Sequence, residues 1–532
     1  MAVTIAKSPP APASTPPLNP YRWIILIGLV LATLMEVLDT TVVNVALPQM
    51  MGNFGATTDE IGWVSTGYIL SNVVVLPITA WLSHRFGRRN YLAFSIILFM
   101  VSSFFCGMSR SLGELVFWRI CQGVGGAALL STTQATIMEI FPRDQMGTVT
   151  AAVGVGMIMG PTLAPALGGY ITDNYSWPWV FFINIPIGII ALAIVVPFLQ
   201  NSIYTRNTDV VDWLGIGLLA VGLASLQYVL EEGLRNDWFN SPMICRLTAL
   251  STVCLIWFVL WEISPHNKHP VIDLQVLKNV SLRAGIILGT LLGFGLYGGT
   301  FVYPLFVQQI LNFNAVSTGL TLLPGGIASG IAMQICGRLI NNKSKPVDPR
   351  RLLIFGVTMF VLSMNTLSHS TSASGAWDAQ IALCIRGAGM GFLFMPLNTS
   401  VFRSLPGRDI AQASSLLNLS RQLGGSLGIA ILNTYIVNMA TFHRSRLSEN
   451  ITSTNPLVDE RLHALTGAFL THGLSLDAAR EAAMGVIAGS VAAQASTMAY
   501  DNAFQLIGVA MLIAAPSIFM LRPKLLAMAA SR

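Results

Sequence analysis

Apolar residues in this chain are grouped into long runs separated by short polar stretches. The runs are about 20 residues long, the length an α-helix needs to cross a bilayer core. They predict fourteen spans, with approximate limits 22–47, 60–83, 91–108, 113–139, 147–171, 179–199, 212–231, 244–263, 284–310, 318–340, 351–369, 379–402, 410–440 and 499–521. Several spans carry Gly, Pro or lone polar residues, which membrane helices tolerate where neighbouring helices satisfy the backbone. The fold class expected from this pattern is an all-α polytopic membrane protein.

The pattern also repeats faintly. RICQGVGG at 119–126 in span 4 is echoed by CIRGAGMG at 384–391 in span 12, and each is followed by a loop and a long Gly-rich helix. TAWLSHRFGRRNYL at 79–92 has a weaker echo in CGRLINNKSKPVDPRRLL at 336–353. Duplicated halves with the site at their interface are typical of secondary transporters. Spans 7 and 8 fall outside the repeat. The expected organisation is a tail at 1–21, a six-helix half at 22–199, two inserted helices with linkers at 200–283, a second six-helix half at 284–521 and a tail at 522–532.

Composition strengthens the membrane reading. Hydrophobic residues make up 53% of the 532 positions and charged residues only 10%, where a soluble protein carries about a quarter charged. The net charge of +6 points to nucleic acid only if its placement is ignored. Arg85, Arg88 and Arg89, then Arg143, Arg206, Lys268, Lys278, Arg283, Lys343, Lys345, Arg350, Arg351, Arg403 and Arg408 fall in one set of loops. The alternate loops hold little beyond Arg110, Arg235 and Arg246. The positive-inside rule makes the first set cytoplasmic. Lys7, Arg522 and Lys524 agree, so both termini are expected in the cytoplasm and no nucleic-acid partner is needed. The Pro-, Ala- and Ser-rich start lacks the apolar core of a signal peptide. Cys106, Cys121, Cys245, Cys254, Cys336 and Cys384 lie in apolar runs without metal-ligand spacing and read as packing residues. One stretch, 441–498, is too polar to cross. Its segment Ser475–Met498 has helical character with Ser475 as cap. It reads as a docking surface or a membrane-surface cap outside the bilayer.

Ionisable groups at membrane depth are expensive and point to function. Glu36 and Asp39 in span 1 are three apart and share a helix face. Asp39 lies roughly 13 Å inward from Pro48, and Arg119 roughly 8–10 Å inward from the start of span 4. The two can therefore meet in the outer half. Desolvation favours a neutral acid and a neighbouring guanidinium favours the carboxylate, so such a pair can couple proton uptake to substrate binding. The competing reading is a static ion pair joining spans 1 and 4. Arg386 and Arg421 have no evident acid at their depth; they face a water-filled cavity, bind an anionic substrate group or are satisfied by helix carbonyls. Gln122, Asn184, Asn418 and Gln422 are polar partners for these groups, and Gln122, Asn418 and Gln422 join Arg386 and Arg421 as expected cavity residues. Glu139, Glu231, Glu232, Glu262 and Asp501 sit near span ends and read as solvated boundaries. Gly156, Gly160, Ala164 and Gly168 form a small-residue ridge for close helix contact, with bends from Pro161 and Pro165. A packed seam between the halves that blocks ion leak fits that ridge.

LDTTVVNVALP at 38–48, RICQGVGGA at 119–127, MGPTLAPALGGYITD at 159–173 and SWPWVFFINIPIG at 176–188, in this order, resemble the fourteen-helix drug:proton antiporters of the major facilitator superfamily, the EmrB/QacA-type group. RGAGMGFLFMPLN at 386–398 and ASSLLNLSRQLGGSLG at 413–428 fit as well. The long loop before span 14 leans toward the EmrB-like branch. The resemblance implies a proton-coupling role for Asp39 and a proton-transfer role for Arg119. It implies an antiporter signature from Gly160 to Gly169, and a conformational latch at Gly87, Arg88 and Arg89. In that latch loop Ala80 stands where Gly is usual and His84 where Asp is usual. It further implies a bacterial inner-membrane location, amphipathic drugs or toxic compounds and protons as cargo, and a periplasmic adaptor with an outer-membrane channel as partners, the adaptor facing 441–498.

Two alternatives stay open. One is a dedicated exporter of a single native compound such as a fatty acid, siderophore or secondary metabolite. The other is a receptor or scaffold that binds without flux. No nucleophile elbow, metal cluster or phosphate loop appears, so neither an enzyme nor an ATP-driven pump is expected and no cofactor is implied.

Overall fold

The computed structural model describes residues 19–142, 145–202, 211–267, 270–342, 347–371, 375–452 and 454–521. Most of the expected tail 1–21 and the whole of 522–532 lie outside it. So do Lys7, Arg143, Arg206, Lys268, Lys343, Lys345, Arg522 and Lys524 of the orientation set, and the side chains of Pro161, Pro165 and Arg408.

The apolar runs fold as helices, numbered here in chain order: α1 (Arg22–Phe54), α2 (Trp63–Phe86), α3 (Arg88–Met108), α4 (Leu112–Ile140), α5 (Met146–Asn174), α6 (Trp179–Phe198), α7 (Trp213–Glu232), α8 (Pro242–Ile263), α9 (Val280–Gln309), α10 (Ala315–Ile340), α11 (Pro349–Leu367), α12 (Ala376–Arg403), α13 (Ile410–Ser448), α14 (Pro456–Thr471) and α15 (Leu476–Ala514). Among the described residues, thirteen stretches are long and apolar enough to cross a membrane. The expected fifth span is the 29-residue helix α5, of which Thr148–Met157 is the described apolar part. Side-chain caps fix several starts: Ser111 opens α4, Asp212 opens α7 through Gly215 N–H at 2.8 Å, and Asn314 opens α10 through Ser317 N–H at 2.7 Å. Each satisfies a backbone donor that has no partner within its own helix.

The same pairings occur twice. In the first half α1 packs on α5 and α6, α4 packs on α2 and α3, and α3 packs on α6. In the second half α9 packs on α13 and α15, α12 packs on α10 and α11, and α11 packs on α15. The halves meet where α5 crosses α10 and where α4 and α2 approach α13. The inserted α7 leans on both α2 and α13, with α8 outside it. Only 22% of the apolar window of α8 is buried, and Val253, Ile256, Trp257 and Leu260 point outward, as on a lipid-facing helix.

Three expectations about ends change. α1 runs through Pro48 to Phe54, so the helix does not end at Pro48. The stretch 441–498 is no loop: α13 continues to Ser448, α14 follows, and α15 is one helix from Leu476 into the membrane region. Ser475 occupies the N-cap position with extended backbone, but its side chain makes no cap bond.

Candidate coupling and substrate sites

Asp39 and Arg119 do meet. Both are buried, and Arg119 Nη1 donates to Asp39 Oδ2 at 2.5 Å. The carboxylate is saturated further: Gln122 Nε2 and Asn184 Nδ2 donate to its Oδ1 at 2.9 and 3.0 Å. Both amides also donate to Ser103 Oγ at 3.0 Å. Arg119 Nη1 also donates to Gln122 Oε1 at 2.7 Å, its Nε donates to Val64 O at 2.9 Å, and its guanidinium lies 4.3 Å from the Tyr68 ring centre. Five helices, α1, α2, α3, α4 and α6, thus enclose one ion pair in a polar shell. Gln122, expected in the cavity, is fully buried in this shell. The physical reason is that a buried carboxylate needs several donors, and Gln122 sits one turn from Arg119 on the same face of α4.

Glu36 does not join the pair. It accepts from Leu130 N–H at 3.0 Å and from the Asn72 amide. Among the described residues no cation is within ion-pair distance of it.

The second half holds charge differently. Arg386 Nη1 donates to Gly299 O at 2.8 Å. Arg421 is 5% exposed. Its Nη2 donates to Asn418 Oδ1 at 2.5 Å, its Nε donates to Leu417 O at 3.4 Å, and it lies 4.7 Å from the Phe394 ring centre. Among the described residues no carboxylate pairs with either arginine. Gln422 is half-buried beside Arg421.

Next to Arg421 the halves are tied together. Ser414 Oγ donates to Ser131 O at 3.0 Å and to Gln134 Oε1 at 3.1 Å. Asn418 Nδ2 donates to Ser131 Oγ at 3.0 Å and to Gln134 Oε1 at 3.3 Å. These bonds lie toward the end of the bundle that carries Arg85, Arg88 and Arg89. At that end Gly87 adopts φ +82°, a conformation that favours glycine, and a Cβ there would lie 2.7 Å from Asn201 Oδ1. Arg88 is buried and ion-paired to Glu139, and Arg89 N–H donates to Asn201 Oδ1 at 3.1 Å.

The model of the Major Facilitator Superfamily matches residues 29–429. This chain belongs to that superfamily. It is 32% identical over 453 residues to the multidrug export protein EmrB of Escherichia coli strain K12, covering 84% of this chain and 86% of that one. It is 30% identical over 511 residues to the fatty acid resistance protein FarB of Neisseria gonorrhoeae, covering 96% and 98%. Among solved structures, human MFSD10 (TETRAN) matches with a TM-score of 0.57 at 13% identity, covering 92% of this chain and 100% of that one. The proton:xylose symporter XylE matches at 0.58 and 13%, covering 94% and 95%. At that identity the two structures speak for the fold alone. The chain is an EmrB-like facilitator, a membrane transporter and not an enzyme.

Within this facilitator two expected placements need correction. The ridge on α5 faces α1 of its own half: a Cβ on Gly160 would lie 2.6 Å from Val37, one on Gly168 would meet Val42, and Ala164 packs with Leu38 and Val42. Gly156 is looser, with Val30 at 3.8 Å from such a Cβ, and Gly169 contributes its carbonyl to Thr172. The seam between the halves lies elsewhere on α5, where Gly154 meets Met333 and Val155 meets Gly330. Helical periodicity finds a small-residue face but does not say which neighbour it meets.

Four of the acids near the span ends have partners within the protein instead of water alone. Glu139 is ion-paired to Arg88 and accepts from Ser202 at 2.8 Å. Glu231 accepts from Gln227 at 2.8 Å. Glu232 pairs with Arg235 at 3.1 Å, and Glu262 accepts from Val271 and Ile272 N–H at 3.2 and 3.3 Å. Asn201 was not singled out by its sequence context. Its one sequence signal is an amide in a short polar break opposite a glycine turn.

Proposed function

We propose that this facilitator is a proton-driven exporter of amphipathic drugs or toxic compounds, working by alternating access in a bacterial inner membrane. The observation that carries the reading is the Asp39–Arg119 pair, supplied with several donors and enclosed between five helices. Protonation neutralises the carboxylate and weakens its hold on Arg119, Gln122 and Asn184 together. Helices α1, α4 and α6 can then shift against one another, so one proton alters the geometry of the whole first half. We take the Arg88 end as cytoplasmic, from the distribution of Lys and Arg. Ser414, Asn418 and the α5–α10 seam then close the cytoplasmic side, and cargo leaves from the opposite end. Names of relatives support export: one is a multidrug export protein and another a fatty acid resistance protein.

The helical extension made by the end of α13, α14 and the start of α15 is the proposed face for a periplasmic adaptor leading to an outer-membrane channel. A narrower cargo range is the second reading, favoured by similarity to the fatty acid resistance protein over 96% of the chain.

The test is Asp39→Asn in proteoliposomes under an imposed pH gradient. The variant inserts and folds but gives no proton-driven efflux. Efflux at the normal rate sinks the coupling assignment.

A further inference from the structure

Asn418 serves three bonds at once. Its Oδ1 accepts from Arg421 inside the second half, and its Nδ2 donates to Ser131 and Gln134 of the first half. Arg421 itself is buried and, among the described residues, is met by neutral groups: one amide oxygen, one helix carbonyl and the face of Phe394. A guanidinium presents five donors in a planar fork, and that fork matches a carboxylate in two parallel bonds. A desolvated cation without a counter-ion is poorly compensated. The Tyr297 hydroxyl on α9 lies within electrostatic reach of both Arg421 and Glu36 of the other half, so Arg421 stands close to the region between the halves. Arg386 adds a second guanidinium held by a carbonyl in the same half.

We propose that Arg421 binds the anionic head of the cargo, a carboxylate on an apolar body, and that Asn418 competes with that head for the same guanidinium. This rests on the exporter reading above. In the sealed arrangement Asn418 is oriented by Ser131 and Gln134, and its Oδ1 occupies Arg421. When the halves part on the cytoplasmic side, those two acceptors leave, the amide is free to turn, and the fork opens to an anion. Closing the seal reverses this: Asn418 returns to Arg421 and displaces the head. Cargo binding and sealing are therefore mutually exclusive at one side chain. Linkage makes the effect reciprocal, so bound anion must favour the unsealed state by the factor with which unsealing favours anion.

The experiment uses the full chain in lipid nanodiscs with two probes of equal tail length, dodecanoate and dodecyltrimethylammonium. Seal opening is read by maleimide labelling of a cysteine at Thr150, which lines the small space beside Gln134, in a background with the six natural cysteines replaced. The unsubstituted site binds dodecanoate, and dodecanoate raises labelling. Arg421→Gln weakens dodecanoate about tenfold, the loss of charge-assisted bonds, and leaves dodecyltrimethylammonium unchanged. Arg421→Lys keeps the charge and loses the fork, and falls between. Asn418→Ala labels at the dodecanoate level without dodecanoate and binds it several-fold more tightly. Equal loss of both probes in Arg421→Gln overturns the site. An unchanged dodecanoate response in Asn418→Ala overturns the competition. Pumping of the cation in proteoliposomes, with no affinity for the anion in nanodiscs, overturns this inference and leaves the exporter reading standing; transport of neither probe by the intact protein in proteoliposomes counts against both.

Discussion

The two halves share one set of helix pairings but treat buried charge in opposite ways. The first half places an acid against a base and surrounds both with amides, so that Asp39 and Arg119 are matched donor for acceptor. The second half buries two bases and, among the described residues, gives them neutral acceptors. A closed pair of the first kind responds to a proton, because one proton removes one of its two charges. A half-compensated base of the second kind responds to an anion. The same helix pairings thus carry opposite charge arrangements, and on the reading proposed above that difference gives the two halves different ligands.

The largest effect should come from removing one partner of the closed pair. Arg119→Ala leaves the Asp39 carboxylate buried and uncompensated, which costs about 3–5 kcal/mol. Arg421→Ala removes a base that has no acid beside it, and should cost only about 1–3 kcal/mol. Thermal unfolding of the detergent-solubilised protein, followed by tryptophan fluorescence, measures both. Equal losses would erase the distinction between the halves. The double variant Asp39→Asn/Arg119→Gln sharpens it: with both charges gone most of the lost stability returns, while proton-driven transport stays absent. A double variant as unstable as Arg119→Ala would mean that the pair is not what makes the single substitution costly.

How much of this was legible in the sequence depended on whether the signal was local. The spans followed from run length, and the Asp39–Arg119 meeting followed from depth along two helices, because hydropathy marks where a helix enters the bilayer. Neighbour identity has no such ruler. Asn184 was legible as a polar partner, but it is 145 residues from Asp39 and nothing around it says which group it serves; Glu139 is 51 from Arg88 and reads as an end residue in water. The ridge on α5 was visible as a face, but α1 and α10 are equally plausible neighbours for it until the halves are folded. The extension at α13–α15 was missed in length because Ala-rich helix outside the bilayer lacks the hydropathy contrast that sets boundaries. Arg421 and Arg386 were legible as unpaired bases; that Asn418 joins one of them to the seal was not, since its two partners lie on different halves.

Gly293 tests the second half at a close backbone contact beside Arg421. A Cβ there would fall 2.1 Å from the Arg421 carbonyl oxygen, backbone against backbone, so Gly293→Ala must push α9 from α13. Overpacking of this kind costs about 1–3 kcal/mol and should also weaken dodecanoate binding by displacing Arg421. At Gly160 the same change meets only the Val37 side chain at 2.6 Å, which can turn away, so Gly160→Ala should be the milder of the two. The reverse order, read by the same unfolding assay, would mean that α1 and α5 are the more rigid contact.

The last contrast between the halves lies at the end of the bundle that carries Arg88, where the smallest single effect, at Asn341, is expected. In the first half Arg88 is ion-paired to Glu139. In the second half Arg403 Nη2 donates to the Asn341 amide oxygen at 2.7 Å. Glu139→Gln should therefore cost about 1.5–3 kcal/mol, the range for hydrogen bonds to charged groups, and Asn341→Ala about 0.5–1.5 kcal/mol. Salt discriminates further. Glu139 keeps a side-chain exposure of 22%, so ions reach it and its pairing with Arg88 weakens as ionic strength rises, while an amide acceptor carries no net charge to screen. Unfolding temperatures at low and high salt should show the gap between the two variants narrowing as salt is added. A gap that stays constant would mean that Arg88 is held by geometry, through the Ala135 carbonyl it also reaches at 3.3 Å, and that the two contacts differ in sequence but not in physics.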